Sequence, residues 1–166
     1  MVAAGHVSSF DPWPLALGLG PGRSLRFMAK SELFWPPLGW LISTCGAFKV
    51  ERGVTDGAAL RTAIRLARAG HVVAMFPEGT RRRKGLRKKF EAEAHTGAAR
   101  IALAAGVPLV PAGIRGTDDL LHLAPLRIRF GEPVELDDLA GIARRDAGRI
   151  ATDRLMAAIH ELEMSA

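Results

Sequence analysis

Cysteine is almost missing from this 166-residue chain: Cys45 is the single one, so a disulfide scaffold is excluded and a reducing compartment fits. Long hydrophobic runs are missing too. The longest greasy stretch, Leu33–Phe48, contains Pro36, Pro37 and Gly39 and is shorter than the roughly 20 residues a membrane span needs. Met1 leads through a short apolar run straight to His6, which is not the pattern of a secretory leader. There is no internal repeat and no long linker. No glycine stands four residues before a Gly-Lys-Ser/Thr, which excludes a P-loop. No Gly-x-Ser-x-Gly elbow surrounds Ser8 or Ser9, so these hydroxyls, like the Cys45 thiol, read as structural before they read as nucleophiles. His71, His95, His122 and His160 have no metal-ligand spacing with one another, and no metal is expected.

What is present is apolar bulk and positive charge. Hydrophobic residues make up 48%, enough for one domain with a core and against global disorder. Net charge is +6 and the sequence pI is about 10.4, which points to an anionic partner: phosphate ligands, an acidic carrier, nucleic acid or an anionic lipid surface.

Short apolar runs alternate with helical patterns, the arrangement of an α/β fold with a mostly parallel β-sheet flanked by helices. Strands are expected at Val2–Ala4, Leu25–Ala29, Ala47–Val50, Val72–Phe76 and Leu109–Ile114. Val72–Phe76 is continuously apolar, as a strand buried on both faces should be. Leu126–Phe130 alternates, with Leu126, Ile128 and Phe130 opposite Arg127 and Arg129, which suits an edge strand. Helices are expected after Asp11-Pro12 (an N-cap with proline at the first position), over Pro36–Thr44, from Thr55 or Asp56 to Gly70, over Glu91–Ala105 with His95 inside, and over Ala147–Glu163.

Two short blocks carry chemistry. His6 and Asp11 stand five positions apart on a strand-to-helix turn. A free hydroxyl is a poor nucleophile at neutral pH, and an imidazole suits the role of base. A carboxylate on the other ring nitrogen would fix the tautomer. The bland reading is a solvated histidine beside an ordinary helix cap. The second block, Phe76-Pro77-Glu78-Gly79-Thr80-Arg81, follows the buried Val72–Phe76 strand. Sites in open α/β sheets lie beyond the carboxyl ends of strands. Gly79 allows close approach of backbone to a ligand, Arg81 offers a bidentate fork for phosphate, and Glu78 can orient Arg81 or hold a substrate hydroxyl. Arg81–Lys89 then holds seven cations in nine residues. Such a run is usually a solvated face; beside a site it suits phosphate, a nucleotide-bearing thioester, an acidic carrier or lipid headgroups. Aromatics are not interleaved with it, so no nucleic-acid partner is expected.

Together these residues resemble the 1-acyl-sn-glycerol-3-phosphate acyltransferase family of glycerolipid acyltransferases. His6–Asp11 matches the family's H-x4-D block, Gly46–Arg52 is similar to its second block, Phe76–Arg81 matches F-P-E-G-T-R in full, and Val107–Pro111 resembles the fourth. The four stand in order and cover the chain from His6 to about Pro111. The resemblance implies one acyltransferase domain over residues 1–166, without the membrane-associating segment that usually precedes the histidine. It implies His6 as general base, Asp11 as its partner, and Arg52, Glu78, Gly79, Thr80 and Arg81 holding the glycerol-phosphate acceptor, with Pro111 near the acyl chain. It further implies direct acyl transfer from acyl-CoA or acyl-carrier protein, as co-substrate and without a cofactor, to a lysophospholipid in phospholipid biosynthesis. The chain departs from the pattern at Gly5, where asparagine is common, and at Lys49, where an apolar residue is usual. The expected location is cytoplasmic, peripheral on the anionic inner face of the cell membrane. Rival readings are transfer to another lyso-lipid, a catalytically inactive basic membrane-binding module, and an esterase using Ser8 or Ser9.

Overall fold

Strand β1 (Val2–Ala4) is buried throughout, and its side chains alternate between two separate apolar layers. Ala3 enters one layer with Val73, Ile101, Leu109, Leu155 and Ile159. Val2 and Ala4 enter the other with Leu15, Leu25, Ala74, Ala112 and Ile114. A sheet covered on both faces follows from this alternation, because successive strand side chains point to opposite sides. The computed structural model describes residues 1–6, 8, 10–50, 57–78, 94–117 and 125–165.

Six strands form that sheet: β1, β2 (Leu25–Lys30), β3 (Ala47–Val50), β4 (Val72–Met75), β5 (Val110–Arg115) and β6 (Arg127–Phe130), in the order β3-β2-β4-β1-β5-β6. Every pairing is parallel except β5 with β6, which is antiparallel. The mostly parallel α/β sheet expected from the sequence is therefore present. Val73 and Ala74, at 0% and 1% exposure, face opposite layers, which makes β4 the doubly buried strand its composition implies.

The helices are α1 (Pro12–Gly18), α2 (Leu38–Thr44), α3 (Gly57–Arg68), α4 (Gly97–Ala105) and α5 (Arg144–Ser165). The layer containing Ala3 is built from α3, α4 and α5, and their buried positions are mostly alanine. Small side chains let helix axes come close to the strands. Gly113 shows how close: a Cβ there would lie 2.8 Å from the Leu162 carbonyl carbon in α5. Among the described residues the opposite layer is covered by the short helix α1, whose Leu15 is fully buried.

Several boundaries differ from the sequence reading. Helix α4 begins at Gly97, with Thr96 in the N-cap position, so His95 precedes the helix; its N–H instead donates to the Pro77 carbonyl at 2.7 Å. Gly106 ends that helix at φ 67°, as expected. Leu109 lies outside β5 and makes an isolated antiparallel bridge with Val134. Leu126 precedes β6 and is exposed, while Ile128 and Phe130 pack on the α1 side. Helix α5 starts at Arg144, and its buried stripe includes Ala147, Ala151, Leu155 and Ile159. The expected cap at Thr55 or Asp56 and the residues 91–93 lie outside the described residues.

Candidate active site

Strands β4, β1 and β5 are adjacent and parallel, so their carboxyl ends open at one edge of the sheet. That edge is where ligands sit in open α/β folds. His6 follows β1, Phe76-Pro77-Glu78 follows β4, and Gly116-Thr117 follows β5. Residues more than a hundred positions apart thus reach one place through register alone.

His6 Nδ1 and Asp11 Oδ2 are 2.8 Å apart. The imidazole is 19% exposed and the carboxylate 0%. The same Oδ2 accepts the Ser8 N–H at 2.9 Å, and Oδ1 accepts the Thr117 hydroxyl at 2.6 Å. A buried carboxylate is costly unless hydrogen-bonded, and three donors meet that requirement here. With Nδ1 held by the carboxylate, Nε2 is the ring nitrogen left for a proton from a ligand. The ring lies against Phe76, centroids 4.4 Å apart and planes 24° from parallel. One side chain therefore fixes the imidazole edge and another supports its face.

Local sequence explains why Asp11 is available for this. An N-cap aspartate normally accepts from the N–H of the second or third helical residue. In α1 the third is Pro14, which has none, and the N–H of the second, Trp13, goes to the Phe10 carbonyl at 2.9 Å. Asp11 occupies the cap position without a side-chain cap bond. Asp11 thus holds the expected N-cap position, with Pro12 first in the helix, while its carboxylate turns back across the Ser8 turn to His6.

Glu78, at 6% exposure, is buried just past β4. Arg52, Gly79, Thr80 and Arg81 lie outside the described residues, as does the remaining basic run through Lys89. Ser8 uses its hydroxyl to accept the Phe10 N–H at 3.3 Å, the turn-stabilising role expected of it; Ser9 lies outside the described residues. Cys45 is half-buried at the end of α2. The His71 Nδ1 contacts the Ser24 hydroxyl at 2.7 Å, near the starts of β4 and β2, at the opposite edge of the sheet. Among the described residues no three His, Cys, Asp or Glu side chains converge as metal ligands.

A protein-family model described as Acyltransferase matches residues 1–115, which contain the entire His6–Asp11 constellation. The chain belongs to the acyltransferase family. This acyltransferase-family chain is 30% identical over 169 residues to 1-acyl-sn-glycerol-3-phosphate acyltransferase of Bacillus subtilis (strain 168), covering 98% of itself and 80% of that protein. It is 31% identical over 144 residues to the enzyme of that name from Streptococcus pneumoniae, covering 84% of itself and 51% of that protein. The crystal structure of the 1-acyl-sn-glycerophosphate (LPA) acyltransferase PlsC from Thermotoga maritima has a similar fold, with TM-score 0.62 and 30% identity. That match covers 98% of this chain and 65% of the Thermotoga chain. The chain thus spans four-fifths of the Bacillus relative and about half of the Streptococcus one.

Two contributors escaped the sequence reading. In the sequence Phe76 stands as the end of a strand, and the aromatic beside the Pro77-Glu78 turn is the signal for its stacking on His6. Thr117 gave no local signal, because its partner is 106 positions away.

Proposed function

We propose that the chain transfers a fatty acyl group from acyl-CoA or acyl-carrier protein to the free hydroxyl of 1-acyl-sn-glycerol-3-phosphate, as the names of its relatives suggest. The observation that carries this reading is the buried Asp11 carboxylate 2.8 Å from His6 Nδ1. In this mechanism His6 Nε2 takes the proton of the acceptor hydroxyl as its oxygen attacks the thioester carbonyl. The C–O bond forms, the C–S bond breaks, and the departing thiolate takes up the proton from the imidazolium. Asp11 holds the ring and offsets its transient charge. Glu78, Gly79, Thr80, Arg81 and Arg52 are assigned to the glycerol-phosphate part of the acceptor, with a backbone amide near Gly79 for the oxyanion.

The site of action is the surface of an anionic membrane. Among the described residues no helix is long and apolar enough to cross one. Apolar side chains stand exposed on two short helical segments: Trp13 at 46% and Leu17 at 79% on α1, and Trp35 at 57% and Trp40 at 74% around α2. Lys49 Nζ lies 5.2 Å from the Phe34 ring centre, which adds a cation to that apolar group.

The test is product formation over a panel of lyso-acceptors with both donor types. Acylation of 1-acyl-sn-glycerol-3-phosphate above all other acceptors supports the reading. A preference for another lyso-lipid replaces the acceptor, thiol release without an acceptor points to the esterase, and no turnover with any pair leaves the binding module.

A further inference from the structure

Thr117 sits beyond the last residue of β5, at 2% exposure, and its hydroxyl links that end of β5 to the His6–Asp11 pair. Its geometry is specific. Asp11 Oδ2 is shared by His6 and Ser8, both within the same short turn. Oδ1 receives the Thr117 hydroxyl at 2.6 Å, from the turn that follows the strand paired with β1. The turn that delivers Thr117 is tightly defined: Gly116 adopts φ 88°, and a Cβ there would approach the Pro125 carbonyl oxygen. A side chain anchored only within its own turn can rotate with that turn. A carboxylate bonded at its second oxygen from the turn of a neighbouring strand has its plane fixed from outside its own turn.

We infer that Thr117 is a positioning residue for acyl transfer: its hydroxyl orients the Asp11 carboxylate, which in turn orients His6. This rests on the reading of His6 as the base. Replacing the hydroxyl by a methyl in Thr117→Val keeps the volume and removes the donor at Oδ1 from a fully buried carboxylate, while the Ser8 N–H stays on Oδ2. The effect travels through Asp11, so it should lower kcat and leave both KM values unchanged. A loss of about tenfold is expected, below the roughly 100-fold that a 1 Å misplacement can cost. Thr117→Ser retains the donor and should recover most of the rate.

The experiment pairs those kinetics with long-range ¹H–¹⁵N spectra of the histidine rings, His6 being assigned by its absence in His6→Ala. The wild type should show His6 in one Nδ1-protonated form, and Thr117→Val should broaden or mix that pattern while Thr117→Ser preserves it. An unchanged His6 pattern in Thr117→Val overturns the inference, whatever the activity. So does a wild type that transfers acyl groups alongside a Thr117→Val protein within twofold of its kcat. If the wild type transfers no acyl group at all, the functional reading fails, and the spectra still decide whether Thr117 orders His6.

Discussion

Asp11 stands where a helix-starting aspartate ordinarily turns onto the first N–H groups of its helix, and in this chain Pro12 and Pro14 leave little there to cap. The freed carboxylate folds back five residues to His6, so the pairing was legible from local sequence alone. Phe76, just past the neighbouring strand β4, contributes by stacking on the imidazole at 4.4 Å. Leucine at that position keeps apolar bulk and loses the flat surface. Phe76→Leu is therefore expected to lower kcat by about tenfold or less, with acceptor KM little changed, since misplacements well under 1 Å cost less than 100-fold. Steady-state kinetics with the acceptor varied will check this; a rise in acceptor KM alone would assign Phe76 to substrate contact instead.

At the scale of elements, α5 is held to its flanking turn by Arg154. Its guanidinium donates to both carboxylate oxygens of Asp138 at 2.7 and 2.6 Å and to the Glu135 carbonyl at 2.8 Å. The hydrogen bonds from Arg154 hold the Asp138 carboxyl below its ordinary value, and the same pairing raises Arg154. A carboxyl depressed in the folded state stabilises the fold above its unfolded value and loses that contribution as pH falls through its folded one. Thermal unfolding should therefore show Asp138→Asn slightly less stable than wild type at neutral pH, because the pair is solvent-exposed. The gap should close as pH drops below the ordinary aspartate value of 3.8. A gap that persists at low pH would show that the effect is not the ion pair. The elements themselves were largely readable, since strands such as β4 and the stripe of α5 follow from apolar periodicity. What was not readable depends on contacts distant in sequence. The start of α4 at Gly97 accompanies a bond from His95 to Pro77, and Leu109 leaves β5 to bridge Val134. Thr117 belongs with these: only the pairing of β5 with β1 brings it to Asp11.

The whole molecule is asymmetric in its coverage. Among the described residues one face of the sheet is closed by α3, α4 and α5, while the other carries α1, with Trp13 and Leu17 exposed on that helix and Phe10 exposed just before it. A net charge of +6, with seven cations between Arg81 and Lys89, favours an anionic surface. Each cation near such a surface contributes about 1 kcal/mol, fading within a Debye length. Cosedimentation with anionic vesicles should thus be strong, weaken as salt rises, and weaken again when Arg87, Lys88 and Lys89 are neutralised. Equal binding to neutral vesicles at high salt would assign the attraction to the apolar side chains alone. The central claim, that this acyltransferase-family chain works through His6, is tested most directly by acyl transfer to 1-acyl-sn-glycerol-3-phosphate in His6→Ala. Loss of a general base costs ~10²–10⁴-fold, and a drop of that size in a protein whose circular dichroism and melting temperature match wild type is the expected result. Activity within about threefold of wild type would contradict the account, because that is far less than general-base catalysis supplies.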